Sequence, residues 1–158
     1  IVSASAIGWY GEDKIAGFSF SEEEKSSNDF LGETCKLWEQ SVDAAHAIGI
    51  RTCKLRTGIV LSNKGGALKE FLKPLQFGVA AILGSGKQMV SWIHIDDVVR
   101  LFIDALENDK MQGIYNAVAP WPVTNKQLIQ SIAKAKGGEV NDADLSEFKV
   151  QVSELLEE

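Results

Sequence analysis

"SASAIGWYG", residues 3–11, follows only Ile1 and Val2. Ile1-Val2-Ser3 reads as the end of a strand, and the serines with the closing glycine read as a loop. A strand that runs at once into a serine loop belongs deep inside an α/β sheet rather than at its start. The stretch therefore sets the expectation of a parallel sheet whose first strand has an open edge.

The pattern outward from it agrees. Residues 8–28 read as loop, with Gly8, Gly11 and Gly17, the acidic run Glu22-Glu23-Glu24 as a solvated face, and Ser26-Ser27-Asn28. A helix starts near Asp29, with an apolar stripe of Leu31, Cys35, Trp38, Val42 and Ala45 at helical spacing. Gly49 stops it. "RTCKLRTGIVL" (51–61) reads as one buried strand, and Ser62-Asn63 with Gly65-Gly66 as a turn. Leu68, Phe71, Leu72 and Leu75 mark a second helix, which Pro74 kinks or ends. Residues 78–94 are punctuated by glycine and then rich in strand formers. A third helix opens at Asp96 or Asp97 and runs to about Asn108, and Gly113–Val118 is a short strand. Thr124 and Gln127 have the spacing of a capping box. The helix they open ends at Gly137-Gly138, and a last amphipathic helix carries Leu145, Phe148, Val152 and Leu155. Strands alternating with helices predict an α/β fold with a largely parallel sheet.

Composition narrows the function. The chain has 158 residues, 24% of them charged, and a net charge of −6. Its lysines and arginines form no run, which argues against nucleic acid as a partner. No apolar stretch approaches the roughly 20 residues of a membrane span, and no signal peptide is visible. Cys35 and Cys53 read as free thiols in a reducing compartment, which predicts a cytoplasmic location. His46 and His94 have no cysteine nearby, so no metal site is expected.

Local motifs are sparse. A G-x-G-x-x-G fingerprint is absent. "GSGKQM" (84–89) has Met89 where a third glycine belongs, and Ala81 and Gln88 exclude a Walker A loop, so it reads as a glycine-rich turn. His94 before Asp96 and Asp97 reads as helix capping, with catalysis by His94 as the lesser alternative. Ser3 and Ser5 are open between a self-satisfied turn and a functional role.

Five segments taken together are more specific. "SASAIGWYG", "WE" (38–39), "LRTGIVLS" (55–62), "GSGKQMVSWIHIDDVVRLFIDALE" (84–107) and "GIYNAVAPWPVTNKQL" (113–128) resemble the second half of an extended short-chain dehydrogenase/reductase. The narrower likeness is to the NAD-dependent epimerase/dehydratase-like subfamily, over residues 1–138. The resemblance implies the C-terminal part of a Rossmann-type, mostly parallel sheet with flanking helices, binding NAD or NADP. It implies that the glycine fingerprint lies before residue 1. After about Gly138 the resemblance stops, and the apolar spacing of residues 139–158 reads as an amphipathic helical tail.

By the same resemblance, Ser5 matches the family's catalytic serine. The Tyr-x-x-x-Lys pair, which transfers a proton and holds the nicotinamide ribose, falls on Leu31 and Cys35, counted back from Glu39. Neither supplies that chemistry. Tyr10 is the nearby phenol that could replace the tyrosine, against a packing role in the loop. Arg56, Thr57 and Gly58 match the cofactor-binding segment, whose backbone at Thr57 and Gly58 passes the nicotinamide. Arg56 could pair with a carboxylate or end the strand. Val90 stands where nucleotide-sugar epimerases carry a phosphate-gripping arginine, which argues against such a substrate. Asn116 matches a late-strand asparagine, read as structural.

Two functions follow as expectations. One is an NAD(P)-dependent epimerase/dehydratase-like or oxidoreductase domain acting on a small-molecule substrate, inactive as this chain alone. The other is a non-catalytic cofactor-sensing or assembly module that kept the fold and lost the Tyr/Lys pair. The exposed strand edge predicts homo-oligomerisation in either case.

Overall fold

The computed structural model describes residues 1–12, 19–77 and 80–136. The chain divides into two compact units, Ile1–Gly58 with Asp96–Val118, and Ile59–Ile95 with Ala119 onward. Gly17, the stop at Gly137-Gly138 and the tail helix over 139–158 lie outside the described residues.

The first unit is built on a parallel sheet of β1 (Val2–Ala6), β2 (Cys53–Thr57) and β7 (Gly113–Ala117), in the order β1-β2-β7. The serines of "SASA" therefore lie in the strand rather than in a loop, and a single 3-10 turn, Ile7–Tyr10, follows them. The reason is the sheet: Ser3 and Ser5 pair in register with Lys54 and Arg56, and small residues suit a strand covered by a helix. That helix is α1, Phe30–Ala47. Its start is set locally, because the Asp29 carboxylate accepts from the Gly32 N–H at 2.8 Å. Its end is set by Gly49, at φ +84, whose N–H donates to the His46 carbonyl.

The buried face of α1 is Gly32, Cys35, Glu39 and Val42. The apolar stripe expected from spacing is thus only half right, since Leu31 is 58% and Trp38 46% exposed. The helix is turned so that Glu39 points into the protein. Charge pairing sets this: Glu39 and Asp43, one turn apart on α1, reach Arg56 and Lys54, two apart on β2. The spacings match, at about 6 Å along a helix turn and about 6.6 Å along two strand residues.

α3 (Ile95–Glu107) buries Val98 and Ala105, and its end is closed by Arg51. The guanidinium donates to the carbonyls of Ala105 and Leu106 at 2.7 and 3.1 Å, a favourable place for a cation.

The second unit contains β3 (Ile59–Ser62), β4 (Gly65–Gly66), α2 (Ala67–Leu75), β5 (Met89–Val90), β6 (Trp92–His94), β8 (Val123–Thr124) and α4 (Asn125–Ala135). The single strand expected over 51–61 is therefore two, parted at Gly58, because β3 leaves β2's sheet to pair with β6 and β4. Pro74 lies in the last turn of α2, as expected of a helix that ends there. Leu61, Leu68, Trp92, Val123, Leu128 and Ile132 form its core. The capping box of α4 is present. Gln127 N–H donates to Thr124 Oγ1 at 3.2 Å, and Thr124 N–H to Gln127 Oε1 at 2.8 Å. Residues 84–89 make a turn with positive φ at Gly84 and Gly86, and the Gly86 carbonyl accepts from Lys126 N–H at the start of α4.

Candidate functional site

Sheet register places three residues in one row across the first unit: Ser5 on β1, Arg56 on β2 and Asn116 on β7. They sit one residue before the carboxyl ends of their strands, the side at which open α/β sheets take ligands. Since the three are direct neighbours, their side chains leave the same face of the sheet, the face that α1 covers with Glu39.

Glu39 binds the row together. Its Oε1 accepts from Ser5 Oγ at 2.7 Å and from Arg56 Nε at 2.8 Å, and its Oε2 accepts from Arg56 Nη2 at 3.1 Å. Arg56 is 0% exposed, and Ser5 and Glu39 are each 3% exposed. A bidentate pair this deep is strongly directional. The other side of the guanidinium is also engaged. Nη1 donates to Tyr10 Oη at 3.0 Å and to the Glu22 carbonyl at 3.1 Å, while the Trp9 ring stacks over Cζ at 3.8 Å. Burial alone would pull the Arg56 pKa down. The hydrogen bonds to Glu39 and Tyr10 and the charge of Glu39 outweigh that and hold it above its ordinary value.

Tyr10 donates to Asn116 Oδ1 at 2.7 Å and stacks on Phe20, with ring centroids 4.9 Å apart. Asn116 N–H donates to Glu22 Oε1 at 2.8 Å. The acidic run is thus not wholly a solvated face, because Glu22 ties the segment after the turn to β2 and β7. Trp9 adds two further ties, its indole N–H to the Glu24 carbonyl and its own carbonyl to Ser27 N–H.

Thr57 and Gly58 lie just beyond this row. Thr57 Oγ1 donates to the Leu55 carbonyl at 3.2 Å, and Gly58 N–H donates to the Ala117 carbonyl at 3.1 Å. Leu31 and Cys35 flank the turn after β1. A Cβ on Gly8 would come within 3.2 Å of Leu31 Cβ and 3.7 Å of Cys35 Sγ, so the glycine permits that approach. The Cys35 thiol donates to the Ala6 carbonyl at 3.6 Å, and burial pushes its pKa up, which keeps it a neutral thiol. The structure therefore gathers Ser5, Tyr10 and Arg56 into one network with Glu39, Glu22 and Asn116. It places Thr57 and Gly58 at the network's edge.

Residues 3–117 match the NAD dependent epimerase/dehydratase family. The chain belongs to that family. Among its relatives, the epimerase family protein SDR39U1 homolog, chloroplastic, of Arabidopsis thaliana is 38% identical over 84% of this chain and 37% of its own length. Epimerase family protein YfhF of Bacillus subtilis is 38% identical over 86% of this chain and 44% of its own. The chain thus spans less than half the length of these curated relatives. Among solved structures, the nucleoside-diphosphate sugar epimerase from Corynebacterium glutamicum is 35% identical, with a TM-score of 0.74, over 95% of this chain and 30% of that one. Human epimerase family protein SDR39U1, solved with NADPH, superposes with a TM-score of 0.84 at 24% identity, over 99% of this chain and 64% of that one. The fold is Rossmann-type.

Leu31 and Cys35, which the family resemblance sets at the Tyr/Lys positions, carry neither the phenol nor the ammonium that would hold a ribose. The Nε, Nη1 and Nη2 of Arg56, the Thr57 hydroxyl and the Gly58 N–H all donate within the protein. Among the described residues, no group of three His, Cys, Asp or Glu side chains is placed to hold a metal ion, and no helix is long and apolar enough to cross a membrane.

Glu39 stands in "WE" (38–39), where local sequence assigns it no role. The available signal was the pairing of Glu39-x-x-x-Asp43 on a helix with Lys54-x-Arg56 inside an otherwise apolar strand. Charged residues are almost never fully buried unless paired.

Proposed function

We propose that the protein is an NAD(P)-dependent member of its family acting on a small-molecule substrate, and that residues 1–138 form the carboxyl-terminal portion of its cofactor-binding domain. The observation that carries this is the position of the Ser5–Arg56–Asn116 row at the carboxyl ends of three parallel strands. In this reading Ser5 and Tyr10 face the substrate, and the backbone at Thr57 and Gly58 runs beside the nicotinamide. Arg56 supports both by holding Glu39 and Tyr10 in place. Two buried free thiols support a reducing, cytoplasmic setting. Self-association through β1 is proposed for residues 1–158 by themselves, in which, among the described residues, β1 pairs only with β2. Sedimentation as a monomer at high concentration would count against it.

A second reading is a cofactor sensor without turnover. It is supported by Leu31 and Cys35 at the Tyr/Lys positions and by the inward hydrogen bonds of Ser5 and Tyr10, whose protons go to Glu39 and Asn116. Titration of the intact protein with NADPH and NADH, followed by a panel of small carbonyl and alcohol compounds, separates the two. Binding with turnover supports the enzyme, binding without turnover on any compound supports the sensor, and no binding of either nucleotide refutes both.

A further inference from the structure

The direction of one hydrogen bond carries more than its length. Ser5 Oγ lies 2.7 Å from Glu39 Oε1, and both residues are buried. A carboxylate can only accept, so the shared proton is the serine's. Glu39 cannot turn away, because Arg56 grips both of its oxygens. The Ser5 proton is therefore held inward by a fixed partner. Among the described residues, no group donates a hydrogen bond to Ser5 Oγ, which leaves its lone pairs as what it offers.

We propose that Glu39 is a positioning residue that sets the hydrogen-bond polarity of Ser5, so that Ser5 meets a ligand as an acceptor and takes a donor, the hydroxyl of an alcohol in preference to a carbonyl oxygen. This rests on the functional reading in which Ser5 faces the substrate. A carbonyl at the same place would set lone pair against lone pair unless the serine gave up its bond to Glu39.

The test is NMR of the intact protein carrying 13C-serine. In the wild type, the Ser5 hydroxyl proton is slow to exchange and shows a cross-peak to the Glu39 side chain. Replacing the ion pair by apolar residues, Glu39→Leu with Arg56→Met, keeps the packing and frees the proton, so the cross-peak and the protection vanish. Cyclohexanol and cyclohexanone are the probes, with binding read from the Ser5 Cβ shift. The wild type prefers the alcohol by about fivefold, the ratio one neutral hydrogen bond supplies. The double variant loses that preference, since its serine can donate or accept. A Ser5 proton that exchanges freely in the wild type, equal or ketone-favouring binding there, or no response at Ser5 to either probe overturns the proposal. Titration of the same samples with NADPH and NADH keeps the two readings apart. An outward proton with NADPH or NADH bound sinks this inference alone, and an inward proton with neither nucleotide bound sinks the functional reading.

Discussion

Glu39→Ala removes three hydrogen bonds at once, one from Ser5 and two from Arg56. The larger consequence is the guanidinium left behind, fully buried and without its counter-charge. Breaking a buried pair from one side costs about 3–5 kcal/mol, a large part of the about 5–15 kcal/mol that holds a typical domain folded. With a urea slope of about 2 kcal/mol per molar, the midpoint falls by on the order of 2 M. Urea unfolding of the intact protein, followed by tryptophan fluorescence, measures it, and Trp9 reports locally because its ring lies on Arg56. The companion measurement is the double variant Glu39→Leu with Arg56→Met. Removing both charges leaves no buried charge uncompensated, and only the neutral Ser5 hydroxyl, Tyr10 hydroxyl and Glu22 carbonyl lose a partner, so the double variant is more stable than Glu39→Ala and within about 2 kcal/mol of the wild type. A Glu39→Ala cost below about 1 kcal/mol, or a double variant as unstable as the two single changes summed, would refute the account of this pair as a mutually dependent buried unit.

Other expectations follow from single contacts. Gly32→Ala places a Cβ 2.3 Å from the Ser27 carbonyl oxygen, so the helix start or the loop must shift; a loss of at least about 1–3 kcal/mol is expected in the same assay. Thr124→Ala removes the capping box of α4 and costs about 1 kcal/mol, while Thr124→Ser keeps it. Burial pushes the thiols of Cys35 and Cys53 above their ordinary range. The folded state then resists ionisation more than the unfolded chain does. Stability is full below the unfolded thiol pKa and declines as pH rises through it toward the folded value, by at most about 1.4 kcal/mol per pH unit for each thiol. Unfolding from pH 7 to 10 should show this slope in the wild type and a flatter one in Cys35→Ala with Cys53→Ala; equal slopes would contradict it.

The features legible in the sequence are those fixed by near neighbours. Asp29 caps the residue three positions on, Gly49 closes the same helix, and Thr124 and Gln127 cap each other across one turn. The family is legible too, because its segments occur in order. What misled was pattern without partners. "SASA" looks like a serine loop until Ser5 is paired with Arg56 and Glu39, and the apolar spacing of α1 points at Leu31 and Trp38 until the charge on Glu39 finds Arg56. The hydrogen bonds of Glu39 to Arg56 and Ser5 join residues 17 and 34 positions apart, and nothing local announces them. Gly58 parts one apolar run into two strands for the same reason, since the choice is made by β6 and β7 far along the chain.

On the proposed function, the carboxyl ends of β1 and β2 form the nicotinamide end of a cofactor site that lacks a Tyr/Lys pair. A crystal structure of the intact protein grown with NADPH tests it directly. The account predicts the nicotinamide beside Thr57 and Gly58, facing Ser5, with Leu31 and Cys35 against the ribose. NADPH bound elsewhere, or held at that place by a phenol and an ammonium from another part of the protein, would contradict it.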